Sequence, residues 1–123
     1  MKKIITGLTL SCAVLFSSNC FAAHHQKTQN CDINIKDRKF TSGSLKRVSG
    51  EKCKFQLKAG KKHRLTVCNL DKVPAEFESR ALKIEKIIKG GSSVKIRIKP
   101  LEKGKTYKFE EEFGEYHCEF KGI

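Results

Sequence analysis

Several features that would indicate a familiar activity are missing from this sequence. It contains no tryptophan, only two tyrosines and only two prolines. No serine lies in a Gly-x-Ser-x-Gly elbow, which argues against that class of hydrolase. No strand carries the glycine and aromatic pattern on which RNA bases stack, which argues against a specific nucleic-acid-binding domain. We therefore expect neither an enzyme nor a nucleic-acid reader.

Acidic residues are also in short supply. The chain has 26 lysines and arginines against 13 aspartates and glutamates, a net charge of +13. Most of the lysines alternate with apolar residues, as in residues 94–99, and this alternation places them on solvated strand faces rather than in one cluster. Such a charge predicts no more than weak adhesion to anionic surfaces of the cell envelope.

The first 23 residues have the pattern of an export signal. Lys2 and Lys3 precede an apolar run over residues 4–16, which is too short to span a bilayer comfortably, and residues 21–23 end in small side chains suited to cleavage. Cleavage there would remove two lysines and no acid, so the net charge would fall from +13 to +11. This pattern predicts a periplasmic or secreted protein.

The mature chain would begin with a short polar tail. We expect residues 24–30 to be disordered, although His24 and His25 together could bind copper(II) or nickel(II). Four cysteines would remain after cleavage: Cys31, Cys53, Cys68 and Cys118. In an exported chain this even number indicates two disulfides, for which three connectivities are possible.

Apolar and polar residues alternate with period two through most of the remaining chain. The clearest strand covers residues 94–98, a loop is predicted over residues 41–52, and residues 80–88 suit either a strand or one to two helical turns. About seven strands separated by turns, with little helix, predict an all-β fold, an antiparallel β-sandwich or barrel.

Glutamates gather in two stretches of this otherwise basic chain. Glu76 and Glu78 follow a turn, and in an extended segment both would point to one face, roughly 7 Å apart. The second stretch surrounds His117 and contains Glu110, Glu111, Glu112, Glu115 and Glu119. Such crowding is costly unless the carboxylates are solvated, balanced by lysines or bound to a cation. Carboxylates with one imidazole suit iron, manganese, copper(II) or zinc.

Several motifs of the chain resemble those of a known family. They are Asn69-x-Asp71-x-x-Pro74-x-Glu76-Phe77-Glu78-Ser79, the Gly90-Gly91 turn, Pro100-Leu101, and Phe113-Gly114-Glu115-Tyr116-His117. Together they resemble the cupredoxin-like domain, more narrowly the small exported type associated with bacterial iron permeases. The resemblance covers residues 33–123 and implies a cupredoxin-like Greek-key β-sandwich of about seven strands over residues 31–123.

The resemblance also implies a metal site, but not a blue-copper one. Blue-copper relatives use two histidines, a cysteine and a methionine. The first histidine position falls at Ala75 or Glu76, the cysteine near Glu111 and the methionine near Phe120, so His117 alone remains. The resemblance implies instead a carboxylate-rich site that binds or hands on iron or copper, with a membrane iron or metal transporter as partner. Its candidate ligands are Glu76, Glu78, Glu111, Glu115 and His117.

Two further expectations follow from the resemblance. Cys68 and Cys118 would lie at the same loop end of such a sandwich, which implies the disulfides Cys68–Cys118 and Cys31–Cys53. The alternative function is a structural or protein-interaction module that keeps the fold and has lost the metal.

Overall fold

This computed structural model describes residues 30–123. The stretches in which apolar and polar residues alternate form nine β-strands there. The strands are β1 (Ile33–Lys36), β2 (Lys39–Ser42), β3 (Lys54–Leu57), β4 (His63–Asn69), β5 (Ala75–Ser79), β6 (Ile84–Ile88), β7 (Ser93–Ile98), β8 (Thr106–Glu111) and β9 (Tyr116–Gly122). Cys31–Ile123 form one unit. The predicted signal and most of the predicted tail lie outside the described residues. Among those described, no helix is long and apolar enough to cross a membrane.

The strands assemble into two sheets around one core. Their orders are β3-β9-β8-β5-β6 and β2-β1-β4-β7. Most neighbours are antiparallel, but β1 runs parallel to β4 and β3 runs parallel to β9. In the core, the ring of Phe109 stacks on those of Phe77 and Phe120, with centroid distances of 4.9 and 4.3 Å. The predicted all-β sandwich is therefore confirmed, with nine strands instead of about seven and with mixed rather than purely antiparallel sheets.

Two local predictions differ from the structure. Residues 84–88 form β6 at the edge of a sheet, so the helical alternative for this stretch was wrong. β2 extends to Ser42, into the stretch predicted as loop, because the chain reverses at Asp37 and Arg38 and pairs back onto β1. Edge strands with few buried residues carry a weak alternation signal, and this weakness explains both differences.

The disulfides join Cys31 to Cys68 and Cys53 to Cys118, so the pairing that the resemblance implied was wrong. Cys31 directly precedes β1, and the parallel pairing of β1 with β4 brings it to Cys68. Cys53 directly precedes β3, and the parallel pairing of β3 with β9 brings it to Cys118. Cys68 and Cys118 lie in different sheets, and each bonds to a cysteine ahead of a neighbouring strand.

A buried asparagine shapes the turn that leads into β5. Asn69, the last residue of β4, is 1% exposed. Its Nδ2 donates to the carbonyls of Val73 (2.8 Å) and Ile88 (3.0 Å), and its Oδ1 accepts from the backbone N–H of Asp71 (3.0 Å). These bonds tie the turn to the end of β6 and so fix where β5 begins.

Candidate functional site

A row of ionisable side chains crosses the outer face of the five-stranded sheet. Glu78 of β5 lies opposite Glu110 of β8 on one side and opposite Glu85 of β6 on the other. His117 of β9 lies opposite Glu110. The neighbours of Glu78 and Glu110 along their strands include core phenylalanines, so alternation directs both carboxylates outward. Three carboxylates and an imidazole thus lie side by side across four adjacent strands.

Three carboxylates at the centre of this face come close enough to share an ion. One oxygen from each of Glu78, Glu110 and Glu112 lies within 4.8 Å of the other two. The Nδ1 atom of His117 lies 3.0 Å from Oε1 of Glu110. Opposite ligands of a metal ion, with bonds of about 2.1 Å, are about 4 Å apart. The three carboxylates would therefore need only small rotations to meet at one ion, and His117 reaches this group through its contact with Glu110.

Glu76 lies two residues before Glu78 on β5, so its side chain is on the same face, but it is more buried. Burial raises its pKa from 4.5 to about 7, and a hydrogen bond to Glu85 and the charges of Glu85, Glu78 and Glu112 act in the same direction. A hydrogen bond to Glu112, with desolvation and the charge of Glu112, also raises the pKa of Glu78. Two carboxyl groups share a hydrogen bond only when one is protonated, so this face retains protons that a cation could replace. We name these residues the outer cluster: Glu76, Glu78, Glu85, Glu110, Glu112 and His117.

Glu111 points the other way, into the interior. Its side chain is fully buried, and its carboxylate accepts hydrogen bonds from the backbone N–H groups of Glu76 (2.9 Å) and Gly114 (2.6 Å). The guanidinium of Arg38 lies 3.7 Å away. A Cβ atom on Gly114 would come within 2.7 Å of the Cβ of Arg38, so only glycine fits this approach. Glu111 therefore joins β5 to the β8–β9 turn.

The backbone of Arg38 is held by the carboxylate of Asp71, in the turn between β4 and β5. Asp37 and Arg38 have φ of 54° and 59°, and their backbone N–H groups donate to Asp71 at 2.7 and 3.0 Å. Partial burial would raise the pKa of Asp71, but these two hydrogen bonds and the charges of Lys36 and Arg38 lower it. The Arg38 side chain also donates to the carbonyl of Pro74 at 3.1 Å. These hydrogen bonds, together with the Arg38–Glu111 ion pair, fix the β1–β2 turn against the β4–β5 turn.

The structure places three of the five predicted ligands on the outer face of the five-stranded sheet, and one of them, Glu78, is among the three close carboxylates. Glu76, Glu78 and His117 all belong to the outer cluster. Glu111 is in the interior, where its oxygens already accept backbone hydrogen bonds. Glu115 is exposed in the turn between β8 and β9, with φ of 55°, and is not among the clustered carboxylates. Glu111 and Glu115 therefore do not meet the other candidates.

Sequence reasoning did not select Glu85, Glu110 and Glu112 as ligands, although one signal was available for two of them. In β8 the core residue Phe109 shares its parity with Glu111, so Glu110 and Glu112 share the outward parity. Glu85 had no such signal, because its stretch suited a helix or a strand, and only pairing of β6 with β5 places it beside Glu78.

Comparison with known proteins agrees with this fold. A family model described as a cupredoxin-like domain matches residues 7–122. The chain belongs to the cupredoxin-like domain family. No curated protein matches the sequence. The resemblance read from the motifs is therefore confirmed at the level of the family.

Within residues 30–123, the structure offers neither a free thiol nor a methionine to a copper ion. Cys118 is bonded to Cys53, and the chain has no methionine after Met1. The outer cluster offers carboxylate oxygens and one imidazole nitrogen instead. That donor set fits iron or copper(II) held by oxygen and nitrogen ligands.

Proposed function

We propose that this cupredoxin-like domain is an exported protein that binds iron or copper through its outer cluster. The observation that carries the proposal is the convergence of Glu78, Glu110 and Glu112, whose carboxylate oxygens lie within 4.8 Å of one another. His117 adds an imidazole nitrogen 3.0 Å from Glu110. These four residues are the ligands that we assign to the ion, with Glu76 and Glu85 beside them.

The charge balance of this face supports a cation as its ligand. Within residues 30–123, no lysine or arginine forms an ion pair with Glu78, Glu110 or Glu112. The charge of Arg80 lowers the pKa of Glu78, but the effects that raise it are larger. On a solvated face balanced by lysines, the carboxylates would form ion pairs and the pKa of Glu78 would be lowered. Arg80 and Lys108 line the same cavity as Glu78 and Glu110 without forming an ion pair with them, and carboxylates that stay unpaired in a chain with 26 basic residues favour a site for a metal ion.

The exposure of the site favours transfer rather than permanent storage. His117 is 66% exposed, and the outer cluster lies on a sheet face rather than in a closed cavity. A metal ion held there is accessible to a partner protein. We therefore propose a non-catalytic carrier that hands its ion to a membrane iron or metal transporter.

Export is part of the same proposal. The two disulfides suit an oxidising compartment, and residues 1–23 have the pattern of an export signal. An oxygen-rich site with one imidazole suits iron, and it also accepts copper(II). Such a carrier would operate outside the cytoplasm.

Metal titration with matched variants tests the site. The protein should carry His24→Ala and His25→Ala, which remove the predicted tail site, and be freed of metal with EDTA. We expect one equivalent of iron or copper to bind, and the pair Glu110→Gln and Glu112→Gln to weaken binding by about tenfold or more.

The control is the pair Glu51→Gln and Glu102→Gln, which removes the same charge from exposed glutamates outside the outer cluster. This control should retain the affinity of the parent protein. Equal affinities in the two double variants would contradict the assigned site.

A further inference from the structure

A second charged site lies at the open edge of the sandwich, between the edge strands β6 and β7. A cavity of about 560 Å³ is lined there by five basic residues: Arg64, Lys83, Lys86, Lys95 and Arg97. Glu85 is the one acidic residue in its lining. We name these five residues and their cavity the basic cleft. Part of the positive charge is therefore concentrated at one edge.

The cations of the basic cleft are brought together without internal partners. Arg64 of β4 lies directly opposite Arg97 of β7, and like charges at opposed positions destabilise a sheet. Among the described residues, none of the five cations forms an ion pair. The ammonium group of Lys95 donates to a neutral partner, the hydroxyl of Thr66, at 3.4 Å. The positive charges of the basic cleft are therefore not balanced by ion pairs within residues 30–123.

Glu85 does not balance the charge of the five cations. Its carboxyl group hydrogen-bonds to Glu76, a contact that belongs to the outer cluster. Among residues 30–123, Glu85 forms no ion pair with any of the five cations. With five cations against one carboxylate, the basic cleft keeps an excess of positive charge, which favours an anion from outside the chain.

The chemistry of the basic cleft indicates which anion fits. Guanidinium groups offer planar pairs of donors that match phosphate oxygens, and lysines add mobile ammonium donors. A monovalent ion would leave most of five cations uncompensated, and 560 Å³ is room for a larger group. We propose that the basic cleft binds phosphate groups that together carry at least two negative charges. This site shares Glu85 with the outer cluster, but it uses none of the four residues assigned to the metal ion and does not depend on that assignment.

Titration with pyrophosphate tests the site. The protein is treated with EDTA so that no metal bridges the probe to the outer cluster. We expect pyrophosphate to bind, and the pair Arg64→Gln and Arg97→Gln to weaken binding by about tenfold or more, because charged hydrogen bonds are lost. The control pair Lys61→Gln and Lys62→Gln removes the same charge from an exposed turn outside the basic cleft and should change affinity by less than about twofold.

Equal losses in the two double variants would overturn the site, since binding would then follow net charge alone. Both variants replace exposed side chains, and their unfolding transitions should match that of the parent protein closely enough to exclude misfolding.

Vesicles distinguish a lipid headgroup from a soluble phosphate compound. Vesicles of phosphatidylcholine with phosphatidylglycerol are compared with pure phosphatidylcholine. If the parent protein and the control bind the anionic vesicles and the Arg64 and Arg97 double variant does not, the ligand is a lipid headgroup. Pyrophosphate binding without vesicle binding would assign a soluble phosphorylated ligand. Absence of both would overturn the proposal.

Discussion

Neighbouring glutamates in β8 have opposite surroundings, because successive residues of a strand face opposite sides of the sheet. Glu110 lies beside His117 on the outer face, and Glu111 is fully buried. The buried carboxylate accepts two backbone hydrogen bonds and faces Arg38, so it is part of the fold rather than of the outer cluster. The two residues can therefore be separated experimentally.

Replacing Glu111 by glutamine should destabilise the protein by about 2–4 kcal/mol. The glutamine amide keeps one acceptor oxygen, but its NH₂ group would face the N–H groups that donate to the carboxylate and the guanidinium that pairs with it. Guanidinium denaturation of the oxidised protein measures the loss. Glu110→Gln, one residue away on the exposed face, should change the free energy of unfolding by no more than about 0.5 kcal/mol. Equal midpoints for the two variants would contradict the structural role of Glu111.

Glu76 should make stability fall as the pH rises. Its pKa in the folded protein is about 7, against an ordinary value of 4.5, so the folded state binds this proton more tightly than the unfolded state. The resulting stabilisation is complete below about pH 4.5 and is lost as the pH rises through about 7. Urea denaturation in EDTA, from pH 4 to pH 8, measures it.

The comparison that isolates Glu76 is between two variants. Glu76→Gln should flatten this part of the profile, and Glu102→Gln, an exposed glutamate of the β7–β8 connection, should leave it unchanged. A Glu76→Gln profile with the slope of the parent protein would show that another group is responsible.

At the scale of the strands, local pattern and long-range pairing contribute differently. The alternation at residues 94–98 suffices to predict β7, because every second side chain there points to the core. It cannot predict which strands are neighbours. The parallel pairs β1–β4 and β3–β9 bring together segments far apart in sequence, and these pairs decide the disulfides. Glu85 likewise joins the outer cluster through the register of β6 against β5.

Each disulfide should stabilise the domain by about 2–4 kcal/mol, mainly by restricting the unfolded chain. Cys53–Cys118 spans 65 residues and Cys31–Cys68 spans 37, so the first should contribute more, by about 0.5 kcal/mol. Denaturation of the two double-serine variants measures the difference.

The connectivity itself is checked by mass spectrometry of proteolytic peptides under non-reducing conditions. Peptides that join Cys31 to Cys68 and Cys53 to Cys118 are expected. A peptide that joins Cys68 to Cys118 would contradict the arrangement of strands described above.

At the scale of the whole molecule, the net charge of +13 hides an uneven distribution. Carboxylates gather on the outer face of one sheet, and five cations gather at the edge beside β6 and β7. Composition could predict a basic protein and alternation could predict a sandwich. Neither could locate these two groups, because each depends on side chains from several strands placed side by side by the fold.

The export proposal predicts the form of the protein in its native cells. Protein recovered from outside the cytoplasm should begin at His24, carry two disulfides and have no free thiol, because cleavage removes the first 23 residues with Cys12 and Cys20. Intact-mass measurement before and after reduction with alkylation tests this. A cytoplasmic chain that retains Met1 and reduced cysteines would contradict it.

The central claim is that the outer cluster holds one metal ion and that His117 is one of its ligands. Pulsed electron paramagnetic resonance tests it most directly, with one equivalent of copper(II) bound to the protein that carries His24→Ala and His25→Ala. We predict coupling to a single imidazole nitrogen that His117→Ala abolishes and His63→Ala, at a histidine near the other end of the sandwich, preserves. The same imidazole coupling in the His117→Ala variant, or no uptake of copper by the parent protein, would contradict the account.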